Sequence, residues 1–310
     1  MNSLLGYADP NYAYSLSEFG APKRLSQCGG WILEKAITGT TFSDAMGCYP
    51  LFTCLDWSKI HEDFKILEKT LVSLTIVTDP LANFSLEYLQ KNFDLVKPFK
   101  THFIADLSYP LESFVEKNHR YYARKSLKAI EIEICPQPLA YLEDWIALYN
   151  NLINRHNIKG INAFSRKCFE IQLAIPGMII AIGRYDGKII GANLVLLHDN
   201  VAHTHLSAYT DEGYQTRASY GIRWNLLVYL HDNGIRYVHL GGMAGTKEDP
   251  SDGLMQFKKG WSNERRTAYL CGHIFDQNKY DYICKEKNIS NVNYFPAYRF
   301  GEYRDNGNDQ

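Results

Sequence analysis

Residues 236–262 read RYVHLGGMAGTKEDPSDGLMQFKKGWS, and the rest of the chain is organised around them. Tyr237-Val238-His239-Leu240 is a short apolar run of the length of a buried strand. Gly241-Gly242 stops it, freeing the backbone for a sharp exit and letting another group come close. A polar loop follows over residues 246–250. Asp252-Gly253 then opens a short helix ending in Phe257-Lys258-Lys259-Gly260-Trp261. Strand, glycine pair, charged loop and lysine-bearing helix suit a site at the carboxyl end of a strand.

Upstream, residues 71–79 (LVSLTIVTD) and 49–55 (YPLFTCL) read as strands, with an amphipathic helix between them that Ser58 is placed to cap. A further strand centres on His102-Phe103-Ile104. Pro110 opens a long helix through residue 130, since its missing N–H costs nothing in a first turn. Lys117, Arg120, Arg124 and Lys128 fall on one side of that helix. No carboxylate lies between Glu116 and Glu131 to pair with them. The stripe is therefore either a solvated face or a surface for an anion. Residues 178–184, 188–197 and 201–209 form an antiparallel meander, the first two joined by Tyr185-Asp186-Gly187. A polar loop over residues 210–216 leads into a helix from 217 to 233 with Gly234 at its end. Residues 266–275 supply a last strand. No internal repeat is visible.

The 310 residues are enough for two domains, and 45% hydrophobic with 22% charged residues are globular values. A net charge of −1 argues against a surface that grips nucleic acid throughout but leaves room for a basic patch. The opening MNSLLGYADPNYAY lacks the basic and apolar regions of a signal peptide, and no apolar run is long enough to span a bilayer. The seven cysteines are scattered, without C-x-x-C or Cys/His spacing, so we expect buried thiols in a reducing cytoplasmic setting and no metal site.

The order of elements, together with KNHRYYARKSLK at 117–128, SAYTDEGYQTRASYG at 207–221, HLGG at 239–242 and DGLMQFKKGW at 252–261, resembles the FemAB-like acyltransferases of the GNAT superfamily. The resemblance covers about residues 100–275. It implies an α/β (α+β) fold of two GNAT-like domains, each a mixed, largely antiparallel sheet flanked by helices. The expected division is 1–108, 109–276 and a C-terminal extension 277–310. It further implies acyl or aminoacyl transfer to a small-molecule amine acceptor without a tightly bound cofactor, the alternative being a catalytically silent binding module of the same fold. The donor would be acyl-CoA, another acyl thioester such as an acyl carrier protein, or aminoacyl-tRNA. The long coiled-coil arm of typical Fem peptidyl transferases is missing, which favours a thioester.

Candidate residues follow from the resemblance and from chemistry. Lys258 matches the lysine at the family's reaction centre, where a fixed ammonium would stabilise the oxyanion formed by attack on an ester or thioester. Lys259, one position on, faces elsewhere on a helix and serves as its contrast. Gln215, Arg217, Ser219 and Gly221 lie where GNAT enzymes hold the donor's phosphates at a helix N-terminus. The alternative for this loop is an ordinary capped helix start. Strand alternation puts His203 and His205 on one face with Ser207 and Tyr209, and a histidine there could take the amine's proton; either could equally be structural. Arg120, Arg124, Tyr209 and Asp252 are candidates to bind substrate, although Asp252 also fits a helix cap.

Overall fold

The computed structural model describes residues 4–243 and 252–302. The loop read over residues 246–250 and the polar tail from residue 305 lie outside them. The strands are β1 (Ala21–Arg24), β2 (Trp31–Ala36), β3 (Ser43–Gly47), β4 (Leu71–Val77), β5 (Leu95–Asp106) and β6 (Glu131–Cys135). They continue with β7 (Met178–Tyr185), β8 (Lys188–His198), β9 (Val201–Tyr209), β10 (Tyr237–Gly242) and β11 (Glu264–Ile274). The α-helices are α1 (Pro10–Ser15), α2 (Ile60–Leu67), α3 (Leu86–Asn92), α4 (Leu111–Phe114), α5 (Lys117–Ser126) and α6 (Leu142–His156). After them come α7 (Arg166–Gln172), α8 (Asp211–Gln215), α9 (Ala218–Asp232), α10 (Gly253–Lys259) and α11 (Gln277–Glu286).

The chain forms two compact units, one of residues 1–15 and 100–267, the other of residues 16–99 and 268–310. In the first, the strand order is β6-β7-β8-β9-β10-β5. All neighbours are antiparallel except β9 and β10, which run parallel. In the second, the order is β1-β2-β3-β4-β11, again antiparallel except for one parallel pair, β3 and β4. Each unit is thus a mixed sheet built on the same plan: a meander, a parallel partner, then an antiparallel strand.

The core of the first unit lies between the sheet and helices α5 and α9, where Ile222, Leu226, Leu227 and Leu230 of α9 meet Ile179, Ala181, Val195 and Ala202. Gly183 lets α9 come close, since a Cβ there would lie 2.9 Å from the Ile222 side chain. In the second unit the core gathers Leu25, Ile32, Phe52, Trp57, Phe64, Leu74 and Ile76. A fully buried ion pair stands beside it. Arg299 Nη2 donates to Asp44 Oδ1 at 2.6 Å, and the Tyr298 hydroxyl donates to Asp44 Oδ2 at 2.9 Å. All seven cysteines are free thiols, and burial pushes Cys48 and Cys271 up to about 12.

Three local expectations change. The helix read over residues 110–130 breaks, because Val115 and Glu116 are extended. The break turns the Glu116 N–H toward the Gly260 carbonyl, 3.0 Å away, and so ties α5 to the end of α10. The strand read over residues 49–55 is reduced to a bridge between Phe52 and Thr78, and Asp56 rather than Ser58 caps the helix after it. The polar loop of residues 210–216 is mostly α8, capped by the Thr210 hydroxyl, which accepts from the Gly213 N–H at 3.1 Å. There the local cap outweighs the polar composition.

Candidate active site

β9 and β10 pair only from Tyr237↔Val201 to His239↔His203, and then part. β10 runs on to Gly242 and β9 to Tyr209, so the parallel neighbours open at their carboxyl ends. At that opening Gly241 takes φ +82°, a left-handed conformation that suits glycine. α10 returns the chain to the same place. Asp252 starts it by accepting from the Leu254 N–H at 2.8 Å, and its last turn carries Lys258. The ammonium donates to the Gly242 carbonyl at 2.5 Å. A Cβ on Gly241 would lie 3.0 Å from Nζ, so the glycine pair makes room for the lysine as well as for the turn. Lys259 is exposed, as its adjacent helical position requires.

What fixes α10 is an aromatic cluster. Phe257 and Trp261 meet Tyr220 of α9 and His119 of α5, with ring centroids 5.0–6.1 Å apart. His119 Nε2 lies 3.1 Å from the Phe257 carbonyl and donates to it at the helix end, where carbonyls otherwise lack partners. Gly260 sits directly under that ring, since a Cβ would be 2.2 Å from it. Nothing in the spacing of residues 117–128 distinguished His119 from its neighbours.

The site is rich in cations. Burial lowers Lys258 to about 8, and the nearby charges of Arg223 and Lys100 push the same way; Asp252 opposes them. Lys100, itself lowered by burial, reaches the Met243 carbonyl at 3.4 Å. His102 lies against this group and is pulled down to about 3 by burial, then by Lys258 and Lys100. Its Nδ1 is 2.6 Å from His239 Nε2, with the rings stacked 4.8 Å apart. His239 is driven well below its ordinary value by burial and then by His102. Both rings are neutral at pH 7.

A β-bulge redistributes the residues expected on one face of β9. The ladder to β8 shifts register between Leu194↔Leu206 and Val195↔Thr204, leaving His205 as the extra residue. Tyr209 consequently packs toward α9 with the main core, its hydroxyl donating to Asn193 Oδ1 at 2.7 Å. His203 and His205 turn to the opposite face, against Tyr7 at 5.1 and 5.8 Å. His205 Nδ1 is 3.2 Å from the Tyr7 hydroxyl and its Nε2 3.2 Å from Gln172 Oε1. His203 adjoins His239 at 5.2 Å. A file of rings therefore runs from Lys258 through His102 and His239 to His203.

At the start of α9, Arg217 adopts φ +55° and stacks over Tyr122 at 3.6 Å, leaving its guanidinium exposed beside exposed Gln215 and half-buried Ser219. Gly221 does something else. It is buried where α9 crosses α5, and a Cβ would lie 3.0 Å from Ser126 Oγ. On α5, Arg124 is exposed while Arg120 is half-buried, its Nε lacking a partner among the described residues.

The model of the acetyltransferase (GNAT) domain matches residues 113–259. Among solved structures, FemX superposes with a TM-score of 0.67 at 12% identity, over 88% of this chain and 93% of that one. The C-terminal domain of a putative lysylphosphatidylglycerol synthetase from Agrobacterium fabrum gives 0.63 at 13% identity, over 89% and 91%. A conserved protein of unknown function from Bacteroides thetaiotaomicron gives 0.60 at 13% identity, over 88% and 93%. No curated protein matches at the sequence level. Residues 113–259 thus match an acetyltransferase (GNAT) domain, parted parallel strands included, and the chain shares the fold of FemX and of the lysylphosphatidylglycerol synthetase domain.

Proposed function

We propose that the protein is an N-acyltransferase that moves an acyl or aminoacyl group from a thioester to an amine by direct attack. The observation that carries this reading is the Lys258 ammonium, held where β9 and β10 part. At a pKa of about 8 it is roughly nine-tenths protonated at pH 7. The amine nitrogen attacks the thioester carbon, a C–N bond forms, and the carbonyl oxygen becomes an oxyanion beside Lys258. Collapse breaks the C–S bond. The proton lost by nitrogen ends on the departing sulfur, and the file His102–His239–His203 offers a route for it with His205 beyond. Asp252 serves the reaction by capping the helix that carries Lys258. The donor's phosphates meet Arg217, Gln215 and Ser219 at the start of α9, a helix long enough for its dipole to favour an anion. Gly221 serves that helix by packing.

A second reading takes aminoacyl-tRNA as the donor. It is favoured by the surface of α5 and the turn after it, where exposed Lys117, Arg124 and Lys128 have no ion pair among the described residues. Such a surface binds a polyanion with steep salt dependence.

The test is release of free thiol from acyl-CoA thioesters over a panel of amines, with mass detection of the amide. Lys258→Gln should lower kcat about 10²–10³-fold, the usual effect of losing one oxyanion donor. Arg217→Ala should raise KM for the thioester with little change in kcat. Turnover undiminished in Lys258→Gln would overturn the reading, and salt-sensitive binding of tRNA without thioester binding would promote the second.

A further inference from the structure

Beneath α9 lies a group of buried hydrogen-bond donors that the transfer chemistry above does not use. Arg223 points inward from α9 and is only 6% exposed. Its Nε and Nη1 have no hydrogen-bond partner among the described residues. Asn193, on β8, is fully buried at 0% exposure, and its strand position faces α9, because its neighbour Val195 two residues on belongs to the core packed there. The Tyr209 hydroxyl occupies Asn193 Oδ1, while Nδ2 has no acceptor among the described residues. Arg223 is in electrostatic reach of both Tyr209 and Lys258. Three buried N–H-bearing atoms thus gather around Tyr209 with no bonded acceptor among the described residues.

A guanidinium out of water without a counter-ion is costly, and natural cores pair such groups. We propose that Arg223, Asn193 and the Tyr209 that orients it form a carboxylate-recognition subsite beside Lys258. The planar guanidinium fork matches the two oxygens of a carboxylate, and the neutral amide and phenol around it suit a ligand of one negative charge. The subsite would therefore take a reactant bearing a carboxylate. This can be the acyl chain of a dicarboxylic thioester or the carboxylate of an amino-acid acceptor. The inference rests on the transfer reading only in naming those two sources.

The experiment is calorimetric binding to the full chain with two matched pairs of probes. Succinyl-CoA against butyryl-CoA tests the donor, and alanine against alaninamide in the presence of coenzyme A tests the acceptor. In one pair the carboxylate member should bind about ten- to a hundredfold more tightly, as expected for hydrogen bonds between charged groups. Arg223→Met should erase that preference while leaving the neutral probe's affinity unchanged. It should not unfold the protein, because an apolar stem replaces an unpaired buried charge. Arg223→Lys keeps the charge without the fork and Asn193→Ala removes one donor; each should weaken the preference on its own. Equal affinities within both pairs, or a preference that survives Arg223→Met, would overturn the proposal. Carboxylate preference in a protein that transfers nothing would sink the transfer reading and leave the subsite standing.

Discussion

Lys258→Met should make the protein inactive and more stable at the same time. Burial holds the ammonium at about 8 against an ordinary 10.5. At about 1.4 kcal/mol per pKa unit, that displacement is up to about 3 kcal/mol of preference for the neutral amine. At pH 7 the group is charged in both folded and unfolded chains, so the fold bears the penalty. Methionine keeps an unbranched stem of similar reach and drops the charge. The lost bond to the Gly242 carbonyl takes back about 1 kcal/mol, leaving a net gain of roughly 1–2 kcal/mol, or a few degrees in Tm. The pH dependence fixes the sign. A base whose folded pKa lies below its unfolded one binds fewer protons when folded, so wild-type stability rises between about pH 8 and 10.5. The advantage of the variant should therefore shrink across that window. Thermal melts of both proteins from pH 7 to 10 measure it. A lower Tm for Lys258→Met at pH 7, or a gap that stays constant with pH, would refute the account of a strained ammonium.

Further expectations concern activity and packing. The rate should fall as pH rises through about 8 and Lys258 loses its proton, and an active Lys258→Arg variant should lack that limb because arginine stays charged. Gly260→Ala should destabilise by more than about 2 kcal/mol, since its Cβ would lie 2.2 Å from the His119 ring, and His119→Ala should partly rescue it in a double-mutant cycle. In the other unit, Asp44→Ala should cost about 2–3 kcal/mol by chemical denaturation, because it leaves the buried Arg299 guanidinium only Glu302 and the Ala36 carbonyl and takes the acceptor of the Tyr298 hydroxyl.

How much of this could be read beforehand varies with the kind of interaction. The strand at 237–242, its glycine exit and the helix at 253–259 were legible because each depends on residues within a few positions of one another. So was the inward face of α9, which follows helical periodicity. Arg223 was not. It follows Ile222 directly in the sequence, and only the packing of α9 over Asn193 and Tyr209 puts it inside. His119 and His102 were likewise one residue among many until α10 and β10 were placed against them.

The sequence by itself determined the local elements, the meander of β7, β8 and β9 and, through the motifs around Lys258, the GNAT resemblance. The resemblance implied two mixed, largely antiparallel sheets, and tertiary structure decided which strands make the parallel pair in each, β3 with β4 and β9 with β10. It also decided that residues 4–15 pack with residues 100–267. The turn of His203 and His205 away from Tyr209 was decided there too. Strand direction and register are set by which distant partner a strand meets. An extra residue such as His205 reverses faces only once it is paired, so alternation along β9 could not foretell it.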